Sequence, residues 1–212
     1  MKKLFTVISF IVFLFSSSDL SSQCGNLYIQ GVIDGPLPGG LPKGVRLCVT
    51  ADISDLSIYG IGSANNGGGS DGEEFTFPSR ALVTGDCFWV ASESPKFLEF
   101  MGFEPLYVDN AMNVNGDDAF ELFCSGSVED LFGNINVDGT NECWEYLDGW
   151  AENNFGGPNF GNFDCANYSF SGKDALDGET SNETADNPFP TPAQILPVTL
   201  TAFTAKAHGK NA

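Results

Sequence analysis

Turn-forming residues recur about every ten residues between positions 26 and 172, and this spacing constrains the fold more than any other feature of the chain. The segments between the turns are short, and some alternate in polarity, as at Val45, Leu47 and Val49. Helix-like spacing is found only over residues 95–101. The pattern predicts an all-β protein, a sandwich or a barrel, with at most one or two short helical turns.

Residues 1–22 differ in kind from the rest of the chain. Two lysines precede an apolar run over residues 4–15, and small residues follow that run. This order predicts a secretory signal peptide over 1–22, because the run is too short for a stable membrane anchor. A lipoprotein signal with Cys24 as the lipidated residue is the alternative. No later apolar run is long enough for a transmembrane helix, so we expect a secreted or cell-surface protein.

The chain contains six cysteines, an even number: Cys24, Cys48, Cys87, Cys124, Cys143 and Cys165. An even number of cysteines in an exported chain predicts disulfides. Cys143 with Cys165 is the favoured pair, because the Gly- and Asn-rich loop between them would gain from a covalent closure. No two cysteines form a CxxC pair, which argues against a zinc site.

The net charge of the chain is −19 at pH 7. Such a chain repels the phosphates of nucleic acids and anionic membranes, so we predict no nucleic-acid partner. It would attract cations, and calcium is the abundant divalent cation outside cells. Solubility alone is the alternative reason for the charge.

The composition changes after residue 172. Residues 173–194 are polar and acidic and then Pro-rich, which predicts a disordered linker. Residues 195–212 begin with an alternating apolar segment, which we interpret as the truncated first strand of a second module.

Residues 24–172 resemble the lamin tail domain superfamily, in its extracellular bacterial branch. The resemblance rests on four segments: 55–60 (DLSIYG), 70–78 (SDGEEFTFP), 115–122 (NGDDAFEL) and 144–150 (WEYLDGW). It implies an immunoglobulin-like β-sandwich and a non-catalytic domain. Residues 195–203 (ILPVTLTAF) look like the start of a module of exported Bacteroidetes proteins that often precedes a type IX secretion sorting domain.

A twelve-residue segment, 134–145, has the spacing of a calcium-binding loop. Oxygen-bearing side chains recur at alternate positions, a glycine stands at the sixth position, and a glutamate closes the loop. The predicted ligands are Asn134, Asn136, Asp138, Thr140, Glu142 and Glu145, with Thr140 contributing its carbonyl oxygen. A polar hairpin loop with a glycine turn is the alternative interpretation.

Catalytic motifs are scarce in this sequence. The single histidine is His208, which argues against Ser-His and Cys-His sites. Three acidic pairs are candidates for glycoside hydrolysis: Glu73 with Glu74, Asp117 with Asp118, and Glu142 with Glu145. For Asp117 and Asp118 we predict a structural role instead, as acceptors of backbone N–H bonds at a turn.

The sequence therefore predicts a non-catalytic binding or interaction domain. Its partner would be an extracellular protein or a glycan. The alternative is an accessory domain of a larger exported hydrolase, for example a nuclease. Most of the aromatic residues are expected in the core, although a row of exposed rings would suit carbohydrate binding.

Overall fold

The computed structural model describes residues 23–190, which form two packed β-sheets. In chain order the strands are β1 (Leu27–Leu37), β2 (Leu41–Val49), β3 (Tyr59–Ala64), β4 (Phe75–Thr76), β5 (Cys87–Ala91), β6 (Tyr107–Val108), β7 (Ala119–Cys124), β8 (Ser127–Phe132), β9 (Gly149–Asn153) and β10 (Tyr168–Phe170). One sheet has the order β10-β9-β1-β2-β5-β6, and the other β4-β3-β7-β8. Within the described residues the single α-helix is α1 (Pro95–Met101). The prediction of an all-β sandwich is confirmed.

The core between the two sheets follows from the alternation of apolar residues along the strands. Val45, Leu47 and Val49 of β2 all belong to this core, as predicted. In β5, Phe88 and Val90 face the core, and Trp89 between them packs in a second cluster on the other face of the sheet. Successive strand residues point to opposite faces, so both faces of the six-stranded sheet are apolar and need cover.

The outer face of the six-stranded sheet is covered by α1 and by the segment 173–190, which we call the strap. Leu176 and Phe189 of the strap are buried there, beside Trp89 and Phe97. The ring of Phe189 fits because Gly31 has no side chain: a Cβ at that position would lie 2.6 Å from Phe189 Cζ.

The structure thus differs from the predicted disordered linker over residues 173–190. Average composition in this segment is polar, but a few apolar anchors bury enough surface to order it. The rest of that linker, the signal peptide at 1–22 and the second module at 195–212 lie outside the described residues.

The first strand extends further than its residue types indicate. Asp34, Gly35 and Pro36 are typical of a turn, but β1 continues through them to Leu37. Asp34 lies inside the strand and forms a buried ion pair with Lys43 of β2, at 2.9 Å. Gly35 is needed for close packing across the hairpin, because a Cβ there would lie 2.3 Å from Pro42 Cδ.

All six cysteines are paired, as Cys24–Cys124, Cys48–Cys87 and Cys143–Cys165. The predicted Cys143–Cys165 bond is confirmed. Three disulfides indicate an oxidising compartment. The sulfur of Cys24 is bonded to Cys124, which leaves no thiol for a lipid. Within residues 23–190 no helix is long and apolar enough to cross a membrane.

Candidate functional site

A surface cavity of about 630 Å³ lies beside β8, at the edge of the four-stranded sheet. Two loops form it: one follows β8, over residues 133–144, and the other covers 161–165. Its polar lining residues are Asn134, Asn136, Glu142, Asn162 and Asp164, and its apolar ones include Leu131, Ile135, Trp144 and Phe163. The volume lies in the range of small-molecule sites, and the lining combines polar with apolar residues.

The first loop is held in place by Trp144. Its indole is 3% exposed and packs edge-on against Phe132, the last residue of β8, with ring centroids 6.2 Å apart. Two glycines make room for it, since a Cβ at Gly133 or Gly139 would lie within 3.0 Å of the indole ring. Asn134 Oδ1 accepts the N–H of Asn136, which shapes the turn between them.

The second loop is anchored to β8 through Asn159. Asn159 Nδ2 donates to the carbonyl of Leu131 at 2.6 Å, and Leu131 N–H donates back to Asn159 Oδ1 at 3.2 Å. The N–H of Asn162 donates to the carbonyl of Asn159, closing a tight turn. The Cys143–Cys165 disulfide then joins the two loops across the cavity, so its walls are connected covalently as well as by hydrogen bonds.

Asp130 supports both the cavity and the sandwich from below. This fully buried carboxylate accepts three backbone N–H bonds, from Ile29 at 2.7 Å, Asn159 at 2.9 Å and Leu131 at 3.0 Å. Burial raises the pKa of Asp130 from 3.8 to about 7, against the lowering effect of the three N–H donors. The residue connects β8 to β1 of the opposite sheet and to the second cavity loop.

The electrostatic character of the cavity is acidic. Glu142 and Asp164 belong to the lining, and none of the described residues that line the cavity is Lys or Arg. Three asparagines supply amide groups that both donate and accept hydrogen bonds. An anionic ligand would meet carboxylates with no counter-charge, so the site suits uncharged or cationic polar groups.

The structure divides the six predicted calcium ligands into two groups. Asn134, Asn136 and Glu142 line the cavity. Asp138 and Thr140 lie on the other side of the loop, where Thr140 Oγ1 donates to Asp117 Oδ2 at 2.9 Å.

Glu145, the sixth predicted ligand, pairs with a lysine. Its Oε1 accepts from Lys173 Nζ at 2.7 Å, and its Oε2 accepts the N–H of Asn141. Burial raises the pKa of Glu145, but the hydrogen bond from Lys173 and the one from Asn141 outweigh it and hold that pKa below its ordinary value. Among residues 23–190, no three His, Cys, Asp or Glu side chains are grouped as metal ligands.

A role as acceptor of backbone N–H bonds at a turn is predicted for Asp117 and Asp118. Asp117 accepts the hydroxyl of Thr140 instead, and the predicted role is confirmed for Asp118. Its two carboxylate oxygens accept the N–H groups of Asn66, at 2.7 Å, and Asn115, at 2.8 Å. Burial raises the pKa of Asp118, and the two N–H donors oppose that rise. Glu73 and Glu74 likewise bind neighbouring hydroxyls, those of Thr76 and Ser63. These carboxylates are occupied in holding turns and loops together.

Sequence reasoning missed half of the cavity. Asn159, Asn162 and Asp164 belong to the glycine- and asparagine-rich run after β9, and their composition indicated only a loop. The favoured Cys143–Cys165 pair was the available signal, because it predicted that this run folds back on residues 134–145.

Comparison with known proteins adds no relative. No family model matches the chain, and no match was found among the curated proteins or the solved structures.

Proposed function

We propose that this domain is a non-catalytic binding module of a secreted or cell-surface protein, and that the cavity beside β8 is its ligand site. The observation that carries the proposal is the cavity itself: asparagine and carboxylate groups converge between two loops that a disulfide, Asn159 and Trp144 hold in place. A preorganised site of this kind loses little entropy when it binds. The disulfides support the extracellular location.

The test is chemical-shift mapping on the 23–190 chain with neutral oligosaccharides and with uncharged and cationic peptides. We expect one class to shift the backbone amides of 133–136, 142–144 and 161–165, and to be recovered uncleaved. Glu142→Ala should weaken binding, whereas Glu183→Ala, an exposed glutamate of the strap, should not. Shifts confined to other surfaces would refute the assignment of the site, and cleavage would refute a non-catalytic role.

We also propose calcium as a ligand of the 134–145 loop. Asn134, Asn136 and Glu142 on the cavity side supply the oxygen donors that calcium prefers. Calorimetric titration with calcium should show saturable heat that Glu142→Gln reduces. Glu145→Gln is a poorer variant, because it also removes the Lys173 ion pair. Absence of heat in the unmutated domain would leave the loop as a polar wall of the cavity.

The lamin-tail resemblance and the role of an accessory domain in a larger exported hydrolase are compatible with this proposal. In that arrangement the module would hold the partner enzyme near a ligand of the same cavity. Sequencing of the gene beyond codon 212 tests it, since a catalytic domain in frame is the expected result.

A further inference from the structure

We infer that the ligand of this site is a neutral oligosaccharide and that the ring of Phe160 is the stacking platform for a sugar unit next to the cavity. The inference rests on the proposed function, because it assumes that the cavity is the ligand site. It goes further by naming the ligand class and a recognition residue that does not line the cavity.

The cavity wall can form hydrogen bonds with the hydroxyl groups of a sugar. Amide groups of Asn134, Asn136 and Asn162 can each donate to and accept from a hydroxyl, and Glu142 and Asp164 accept from hydroxyl donors. Sugars present such hydroxyls around an apolar ring face. Half-buried Phe163 supplies apolar surface in the same wall. A phosphate, sulfate or uronate would instead be repelled by the two carboxylates.

Phe160 is an exposed aromatic residue next to the cavity-lining residues in the chain. Its side chain is 65% exposed, which leaves the ring accessible to a ligand. It directly precedes Gly161 and Asn162, which line the cavity. The ring lies near Gly25, where a Cβ would be 3.7 Å from Phe160 Cε1. Most of the side chain is open to solvent.

The backbone of Phe160 has a left-handed conformation. Its φ is +51°, in the left-handed region that disfavours a bulky residue. Asn162 Nδ2 donates to the carbonyl of Phe160 at 3.1 Å, and the flanking Asn159 is tied to β8. The loop thus holds an aromatic ring outward at a position where glycine would be easier to accommodate. A ligand contact made by the ring would account for a bulky residue at this position.

The experiment compares Phe160→Ala with Phe155→Ala, by calorimetry against mono- to hexasaccharides of neutral hexoses, xylose and N-acetylglucosamine. Phe155 is a matched control, because it is also 65% exposed but lies outside the cavity-lining loop. We expect Phe160→Ala to raise the Kd of the longer oligosaccharides about tenfold and to leave the monosaccharide Kd unchanged. Phe160→Trp should preserve affinity. Phe160→Gly should lose affinity while its unfolding temperature stays equal to or above that of the unmutated domain.

The outcomes separate this inference from the proposed function. If Glu142→Ala abolishes oligosaccharide binding and Phe160→Ala does not change it, the cavity stands and the platform is overturned. If only peptides shift the cavity amides, or if acidic oligogalacturonate binds as well as the neutral sugars in calcium-free buffer, the ligand class is overturned and the site stands. If no ligand shifts the cavity amides, both fail. Equal losses in Phe155→Ala and Phe160→Ala would also overturn the platform.

Discussion

Replacing Phe189 by alanine tests whether the strap is part of the folded domain. The Phe189 ring is 1% exposed and packs edge-on against Trp89 and Trp150, with ring centroids 5.1 Å and 5.7 Å apart. Two hydrogen bonds with the buried Asn182 fix its backbone: Phe189 N–H donates to Oδ1 at 2.7 Å, and its carbonyl accepts from Nδ2 at 3.2 Å.

The expected loss follows from these contacts. Removing a buried phenylalanine from a core costs about 3–5 kcal/mol, as transfer free energy plus the cavity left behind. The strap can detach locally, which limits the loss to the free energy of its docking. We therefore expect Phe189→Ala to lower the free energy of unfolding by about 3 kcal/mol, at the lower end of that range.

Urea unfolding of the oxidised 23–190 chain, followed by tryptophan fluorescence, measures this loss, because Trp89 and Trp150 both contact the ring. Phe155→Ala is the control, since that ring is exposed and its removal should cost little. A loss below about 1 kcal/mol for Phe189→Ala would refute the reasoning. So would a chain truncated after residue 172 that is as stable as 23–190.

Three further predictions follow from the packing. Gly31→Ala should destabilise the domain by about 1–3 kcal/mol in the same urea assay, because its Cβ would meet the ring of Phe189 and the carbonyl of Ala151; an unchanged midpoint would contradict the close fit. The Cys143→Ser, Cys165→Ser double variant should lose about 3 kcal/mol, from the loop-closure entropy of a bond spanning 22 residues, and should bind the cavity ligand more weakly in calorimetry. Because burial raises the pKa of Asp130 from 3.8 to about 7, its stabilising contribution is complete below pH 3.8 and is lost as the pH rises through 7. Urea midpoints at pH 5 and pH 8 should therefore show a decrease that is smaller in Asp130→Asn, and an equal decrease in both proteins would contradict this role.

The features that the sequence determined by itself are local ones. Alternation along 45–49 identified a strand and the face it buries, because side chains on a strand alternate by geometry alone. The turn role of Asp118 could also be predicted, because the bond that it accepts from Asn115 N–H spans only three residues. The residues with oxygen-bearing side chains in 134–145 do form a loop, and calcium binding by this loop remains a prediction.

Other features depended on contacts between segments that are distant in the chain. The cavity needs the loop after β8 and the run near residue 162 to meet, and the carboxylate of Asp130 reaches an N–H that is 101 residues away. The strap is ordered because the ring of Phe189 fills the space beside Gly31, a residue far from it in the sequence. Composition averages over a segment, so it indicated a linker there. The strap is nevertheless ordered, because one or two of its side chains are buried in a gap of matching shape. Only the tertiary structure provides that gap.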